Sequence, residues 1–255
     1  MSRRHRRRRL VRRPAGGAGG GPAGAAAPAA PAAAGAALDE AAAKAVLAGL
    51  GVPVPPGRVV AGAEAAAAAD ALGYPLALKM LGERLPHKTE AGAVRLGLGD
   101  AAAVGAAVAR MRRDVAAYDP EAPTDRFLLE RMVGPPVAEL MVSVRRDRDF
   151  GFAMTLASGG VLVELVGDAV TLLLPAGRAE IAAALDRLKV ARLMAGFRGR
   201  PAADRDAVLE VLERIAARAA APDAAILELE INPLLLLPDG ACAVDVLLRR
   251  AAATA

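Results

Sequence analysis

The stretch Ile226-Leu-Glu-Leu-Glu-Ile-Asn-Pro233 places oxygen-bearing side chains at every second position. Side chains of a strand alternate between its faces, so Glu228, Glu230 and Asn232 share one face while Leu227, Leu229 and Ile231 fill the other. Three such groups together are costly in a core unless a cation sits among them. Asp245 returns on the next strand, after the turn signal Pro238-Asp239-Gly240. An all-oxygen set suits magnesium, which is held by one or two carboxylates together with the phosphates of a nucleotide. The competing reading is a solvated acidic strand edge, and hairpin register bears on the choice. A two-residue loop at Pro238 and Asp239 sets Asn232 opposite Asp245, whereas a three-residue loop with Gly240 in a bulge turns Asp245 to the other face. The sequence suits both.

Other residues carry chemistry of the same kind. Lys79 is the one charge in Pro75-Leu-Ala-Leu-Lys-Met80. A cation there is turned outward or held by an anion, and its use would be as a point charge on phosphates. Leu85-Pro-His-Lys-Thr-Glu-Ala-Gly-Ala-Val94 contains the only histidine outside the tail. The neutral imidazole of His87 can accept a phosphoryl group, and Lys88 beside it would offset the arriving charge; a surface-loop histidine is the plain alternative. Ser158-Gly-Gly160 lets backbone amides of Gly159 and Gly160 approach phosphate oxygens, or makes an ordinary hairpin turn. Glu130-Arg-Met-Val133 precedes the breaker Gly134-Pro-Pro136 and suits a hinge whose backbone meets an adenine edge. Glu139, opening the next strand, could hold ribose hydroxyls. Both acids read equally as exposed strand-end charges.

These residues need a scaffold. Helical Ala/Leu pattern runs from Asp39 to Leu50 and stops at Gly51, and helices are also expected at Glu64–Leu72, Asp100–Val115, Arg178–Leu188 and Asp204–Ala220. Strands are expected at Arg58–Val60, Pro75–Met80, Ala93–Leu98, Phe127–Val133, Glu139–Arg145, Phe152–Ala157 and Val161–Val166, before the C-terminal hairpin. Helices and strands mix without strict alternation, which predicts an α+β chain.

Composition narrows the function classes. The net charge of +5 arises in residues 1–14, which hold eight Arg and no acid; the remainder balances 25 basic against 28 acidic residues, or −3. Residues 1–37 are Arg-rich, then Ala/Gly/Pro-rich, and read as a disordered tail incidental to the fold. A nucleic-acid arm rests on that tail alone, with no interleaved aromatics. No apolar run matches a membrane span. The lone Cys242 forms no internal disulfide, which fits a reducing cytoplasm, and two His with one Cys do not make a usual zinc site.

Taken in order, Leu38-Asp-Glu40, Gly73-Tyr-Pro75, Leu78-Lys79, Pro86-His-Lys-Thr-Glu-Ala-Gly92, Glu139-Leu-Met-Val142, Arg146-Asp147, Phe150-Gly151, Ser158-Gly-Gly-Val-Leu-Val-Glu164, Ala195-Gly-Phe-Arg-Gly199 and Glu230-Ile-Asn-Pro233 with Asp245 resemble one known family. It is the ATP-grasp domain of ADP-forming acyl-CoA synthetases, relatives of the succinyl-CoA synthetase beta subunit. The resemblance spans roughly residues 38–250, and several motifs in order are more specific than any one.

It implies an ATP-grasp fold: two α+β subdomains, about 53–133 and 134–250, clasping ATP or ADP with Mg2+, and the helix at Leu38–Leu50 packed against the body. It also implies roles. Lys79 would contact the phosphates, Glu130, Met132 and Val133 would form the adenine hinge, and Glu139 would hold the ribose. Asn232 and Asp245, with Glu230 beside them, would bind the metal, Gly159 and Gly160 would lie near the phosphates, and His87 would carry a phosphoryl group. Ala157 and Ala93 replace family glycines, Gly82 a usual serine and Thr171 a usual basic residue. A CoA-binding domain and a second ligase domain have no counterpart in this sequence, so a separate CoA-binding/ligase subunit is the expected partner. A non-catalytic, regulatory nucleotide-binding subunit is the alternative.

Overall fold

The computed structural model describes residues 37–82, 85, 88–122, 124–147, 149–159, 167–221 and 223–251. The tail over 1–36, His87, Gly160 and the strand expected at Val161–Val166 lie outside the described residues. Ala37, expected to belong to the tail, forms an isolated bridge with Arg249.

Helix α1 (Glu40–Gly49) begins where the Asp39 carboxylate accepts a hydrogen bond from the Ala42 amide at 2.9 Å, which satisfies an amide that the helix itself cannot. Its buried stripe is Glu40, Ala43, Lys44 and Leu47, the i, i+3, i+4, i+7 spacing of one helix face. Two of those four are charged. That anomaly organises the molecule.

One sheet comprises β1 (Gly57–Ala61), β2 (Leu76–Met80), β3 (Val94–Leu98) and β4 (Arg126–Arg131), in the antiparallel order β1-β4-β2-β3. Leu76, Leu78, Met80, Phe127 and Leu129 pack with α2 (Ala65–Leu72) and α3 (Ala101–Tyr118) through Ala68, Val104, Val108 and Met111. The opposite face of β2 and β4 presents Ala77, Lys79, Leu128 and Glu130, and these too are buried. A second layer must therefore cover them.

That layer belongs to the other sheet, whose order is β10-β8-β5-β6-β7 with β9 paired to the end of β8. Its strands are β5 (Ala138–Asp147), β6 (Gly151–Ser158), β7 (Ala169–Leu173), β8 (Ile226–Leu237), β9 (Gly240–Ala243) and β10 (Val246–Arg250). Helices α4 (Arg178–Asp186), α5 (Val190–Met194) and α6 (Arg205–Ala220) accompany them. Leu140, Val142, Val144, Leu156, Leu229, Ile231 and Leu248 share one core with Ile181, Leu212 and Ile215. Each fully buried Leu or Ile of this kind contributes ~1.5–3 kcal/mol. Ala43 and Leu47 of α1 join the same core, and the Leu38 amide donates to the Leu248 carbonyl at 2.9 Å. The helix is thus packed on the second sheet while its two charged stripe residues reach the first.

The register of the C-terminal hairpin follows the two-residue loop: Leu237 pairs with Gly240 and Ile231 with Val246. Asn232 therefore lies opposite Asp245, and its amide donates to the Asp245 carbonyl at 3.1 Å. Strand β7 and helix α5 were not expected from the sequence, and β4 stops at Arg131, two residues short of the expected end at Val133. The α+β character matches expectation, and the pairing in both sheets is antiparallel. Among the described residues no helix is long and apolar enough to cross a membrane.

Candidate functional site

Where the two sheets meet, the charges of α1, β2 and β4 converge. Lys79 and Glu130 lie on the same face of neighbouring strands, since Lys79 pairs with Leu128 and Ala77 with Glu130. Lys79 Nζ donates to Glu40 Oε1 at 2.5 Å and to the Val244 carbonyl at 2.5 Å, and lies 3.2 Å from Glu130 Oε2. Lys44 Nζ contacts Glu130, lies 2.9 Å from Glu40 Oε1 and donates to the same Val244 carbonyl at 2.8 Å. Lys88 Nζ donates to Glu40 Oε2 at 2.5 Å and lies 3.5 Å from Asp245 Oδ1. Among the described residues the network joins three lysines to three carboxylates, so it is neutral as a whole.

Burial sharpens these interactions. Burial alone raises the Glu40 carboxyl pKa, but Lys79, Lys44 and Lys88 overcome that and bring it from 4.5 to about 2. Burial also works against the charged Lys79, yet Glu40, Glu130 and Asp245 raise its pKa above the ordinary lysine value. Lys44 goes the other way: burial and then repulsion from Lys79 outweigh Glu40 and Glu130 and lower its pKa. Lys79 is accordingly held in its charged form by the acids around it. The Cys242 thiol nearby is pushed up to about 11, chiefly by burial, and is no nucleophile at neutral pH.

The residues singled out from sequence distribute around this hub. Val244, whose carbonyl anchors both Lys79 and Lys44, immediately precedes Asp245, and Asp245 faces Asn232 across the ladder. Glu228 and Glu230 lie on the half-open face of β8, Arg145 Nη2 being 2.8 Å from Glu228 Oε1 and 3.8 Å from Glu230 Oε2. Their acidic face is thus partly neutralised by arginine. Asn232 is exposed, and the Asp245 side chain is 45% exposed. Two oxygen ligands on one accessible edge fit magnesium that completes its shell with phosphate oxygens and water. Among the described residues no three of His, Cys, Asp and Glu cluster as metal ligands, so a site resting on protein groups alone is not formed there.

Glu130 is placed differently from an exposed strand-end charge: it is 2% exposed and spent on Lys44 and Lys79. Met132 and Val133 lie beyond β4 in the connection between the two sheets. The Met132 amide donates to the Pro75 carbonyl at 2.9 Å, and its sulfur accepts from the Gly97 amide at 3.0 Å. Glu139 is half-buried, with its carbonyl accepting from the Gly159 amide at 2.7 Å. A Cβ on Gly159 would lie 2.6 Å from the Glu139 carbonyl carbon. Glycine is required there to let two backbones touch. Glu40 and Lys44 were missed as site residues, because a Glu–Lys pair four apart usually marks a solvated helix face. The signal that finds them is their place on the Ala43/Leu47 stripe.

Glu40→Gln keeps the shape of the hub and removes one charge, and should lower stability to urea by about 3–5 kcal/mol, the range for breaking a buried ion pair. A carboxyl lowered from 4.5 to about 2 stabilises fully above the higher value and loses that contribution as pH falls through the lower. The stability gap between wild type and Glu40→Gln should therefore close across that window. A gap constant from neutral pH into that acid range would contradict the assignment.

Comparison with known proteins supplies an independent view of this arrangement. A family model described as an ATP-grasp domain matches residues 29–249. The chain is 36% identical over 209 residues to a trans-feruloyl-CoA synthase from an unknown prokaryotic organism, across 81% of this chain and 29% of that protein. It is 28% identical over 210 residues to the beta subunit of an ADP-forming acetate–CoA ligase I of Pyrococcus furiosus, across 82% of this chain and 89% of that subunit. The chain thus spans less than a third of the synthase but most of the separate subunit. A solved structure of a Ca. Korarchaeum cryptofilum acetyl-coenzyme A synthetase holds coenzyme A and Mg-AMPPCP, with its phosphohistidine segment pointing towards the nucleotide site. It superposes with a TM-score of 0.72 at 26% identity, over 84% of this chain and 93% of that one.

Proposed function

Because this chain belongs to the ATP-grasp domain family, we propose that it is the nucleotide-binding part of an ADP-forming acyl-CoA synthetase. The reaction is acyl-CoA + ADP + phosphate ⇌ carboxylic acid + CoA + ATP. A separate CoA-binding/ligase subunit supplies the sites for CoA and the acid, in keeping with the subunit organisation of the Pyrococcus relative. The observation that carries the reading is the convergence of a firmly protonated lysine and a pair of oxygen ligands. Lys79 and Lys44 hold the carbonyl of Val244, and the next residue is Asp245, opposite Asn232.

Phosphoryl transfer asks a protein for position and charge neutralisation more than for covalent help. Lys79 supplies a fixed positive charge, kept protonated by Glu40 and Glu130. Asn232 and Asp245 would hold Mg2+, which would supply neutralisation of phosphate charge. Glu139 takes the ribose hydroxyls, Met132 and Val133 border the base, and Gly159 borders the phosphates. His87 attacks the γ-phosphorus of ATP through a neutral ring nitrogen; a P–N bond forms as the P–O bond to ADP breaks. The phosphoryl group then passes to the partner's half of the reaction. The reverse sequence makes ATP.

Two experiments test this. In calorimetry, wild type should bind ATP or ADP more tightly with magnesium than with EDTA, and Asp245→Ala should lose that difference while remaining folded. Equal binding by wild type in both buffers would overturn the metal assignment. Incubated with its CoA-binding partner, γ-labelled ATP and magnesium, wild type should acquire an acid-labile, base-stable label that His87→Ala lacks, and synthetase turnover should fall to background in the variant. Equal turnover in the two proteins would exclude His87 as a carrier, and a folded, nucleotide-binding wild type without turnover would favour the regulatory role.

A further inference from the structure

Lys88 is the member of the buried network that touches both the hub and the metal edge. Its ammonium donates to Glu40 Oε2 at 2.5 Å and stands 3.5 Å from Asp245 Oδ1, with its side chain 17% exposed. The backbone that carries that side chain is fixed. The Lys88 carbonyl accepts from the Ala93 amide at 2.7 Å, the Thr89 carbonyl accepts from the Gly92 amide at 3.1 Å, and the Ala93 carbonyl accepts from the Met80 amide of β2 at 2.9 Å. Gly92 makes the turn at φ 66, where a Cβ would lie 2.9 Å from that of Asp114, and Arg95 donates to the Gly92 carbonyl at 3.0 Å. The backbone is locked to the first sheet while the ammonium is delivered to an acid of α1 and an acid of the second sheet.

From this geometry we infer that Lys88 is a built-in counter-cation for Asp245, which a divalent metal must displace; the inference rests on the metal assignment proposed above. An ammonium and a divalent cation on one carboxylate repel each other strongly at a separation of a few ångströms. Lys88 has somewhere to go: Glu40, already its closer partner, lies entirely out of water. Metal loading therefore shifts Lys88 from a position shared between Asp245 and Glu40 to Glu40 alone. Because Lys88 directly follows His87 in the chain, the exchange links metal occupancy at Asp245 to the residue beside the proposed phosphoryl carrier. Lys88 is in this sense a positioning residue. It sets the affinity of metal binding without being a metal ligand.

The test titrates Mn2+ alone into the full-length protein and counts free Mn2+ by electron paramagnetic resonance. Lys88→Met and Lys88→Gln remove the competing charge but leave Glu40 paired with Lys44 and Lys79, so each should bind Mn2+ roughly three- to tenfold more tightly than wild type. Lys88→Arg keeps the charge and should stay near the wild-type affinity, which a merely structural role would not predict. Raising salt should narrow the difference between Lys88→Gln and wild type. Wild-type affinity in both neutral variants, or weaker binding, would overturn this inference alone. Failure of wild type and variants alike to bind Mn2+, with Asp245→Ala indistinguishable from them, would overturn the metal site and this inference with it.

Discussion

Glu40 has no exposed side-chain surface and holds three ammonium groups from three different places in the chain. Taking charges out of water costs several kcal/mol per ion after relaxation, and the pairing returns that only when geometry is good and the remaining donors are satisfied. Both conditions are met: no buried side-chain nitrogen or oxygen among the described residues lacks a partner. Apolar replacements of such networks are often neutral or stabilising, so stability alone does not explain why this one is here. What it does supply is a set of positions. Lys79 is fixed between the two sheets, the carbonyl beside Asp245 is tied to it, and Lys88 is brought to the edge where a metal would enter.

The remainder of the fold follows from that constraint. The first sheet must bury both faces of β2, one against α2 and α3 and the other against the hub. The second sheet keeps Leu229 and Ile231 in its core and leaves Glu228, Glu230 and Asn232 on the less buried side of β8. Helix α1 joins the halves by packing Ala43 and Leu47 on the second sheet and sending Glu40 and Lys44 to the first. A rotation between the sheets would have to break those contacts.

Much of the scaffold was legible in the sequence, because Pro and Gly punctuation and apolar periodicity are local signals. Helices α1, α3 and α6 and strands β2, β5 and β6 fall within a few residues of expectation. Strand β7 was missed because Ala169–Leu173 is short and follows directly on the apolar run at 161–166, outside the described residues. Hairpin register was open because Pro238-Asp-Gly240 suits two loops; the pairing of Leu237 with Gly240 resolves it. The site was legible only in part. Lys79 raised the question of a buried partner, but local pattern could not say that the partners come from Glu40, 39 residues away in the chain, and Glu130. Glu130 read as a hinge residue or an exposed strand end for the same reason. Its neighbours in space are set by strand pairing and by the docking of α1, both long-range events.

The central proposal is that Lys79, fixed in the hub, lends its positive charge to nucleotide phosphates, and a charge-balanced double variant tests it most directly. Lys79→Met with Glu130→Gln removes one positive and one negative charge and leaves Glu40 paired with Lys44 and Lys88. The measurement is the affinity for ATP with magnesium, by calorimetry, on samples whose urea stability is determined in parallel. Loss of a charge-assisted phosphate contact predicts a folded double variant that binds roughly tenfold or more weakly than wild type. A folded double variant with wild-type affinity would contradict the account.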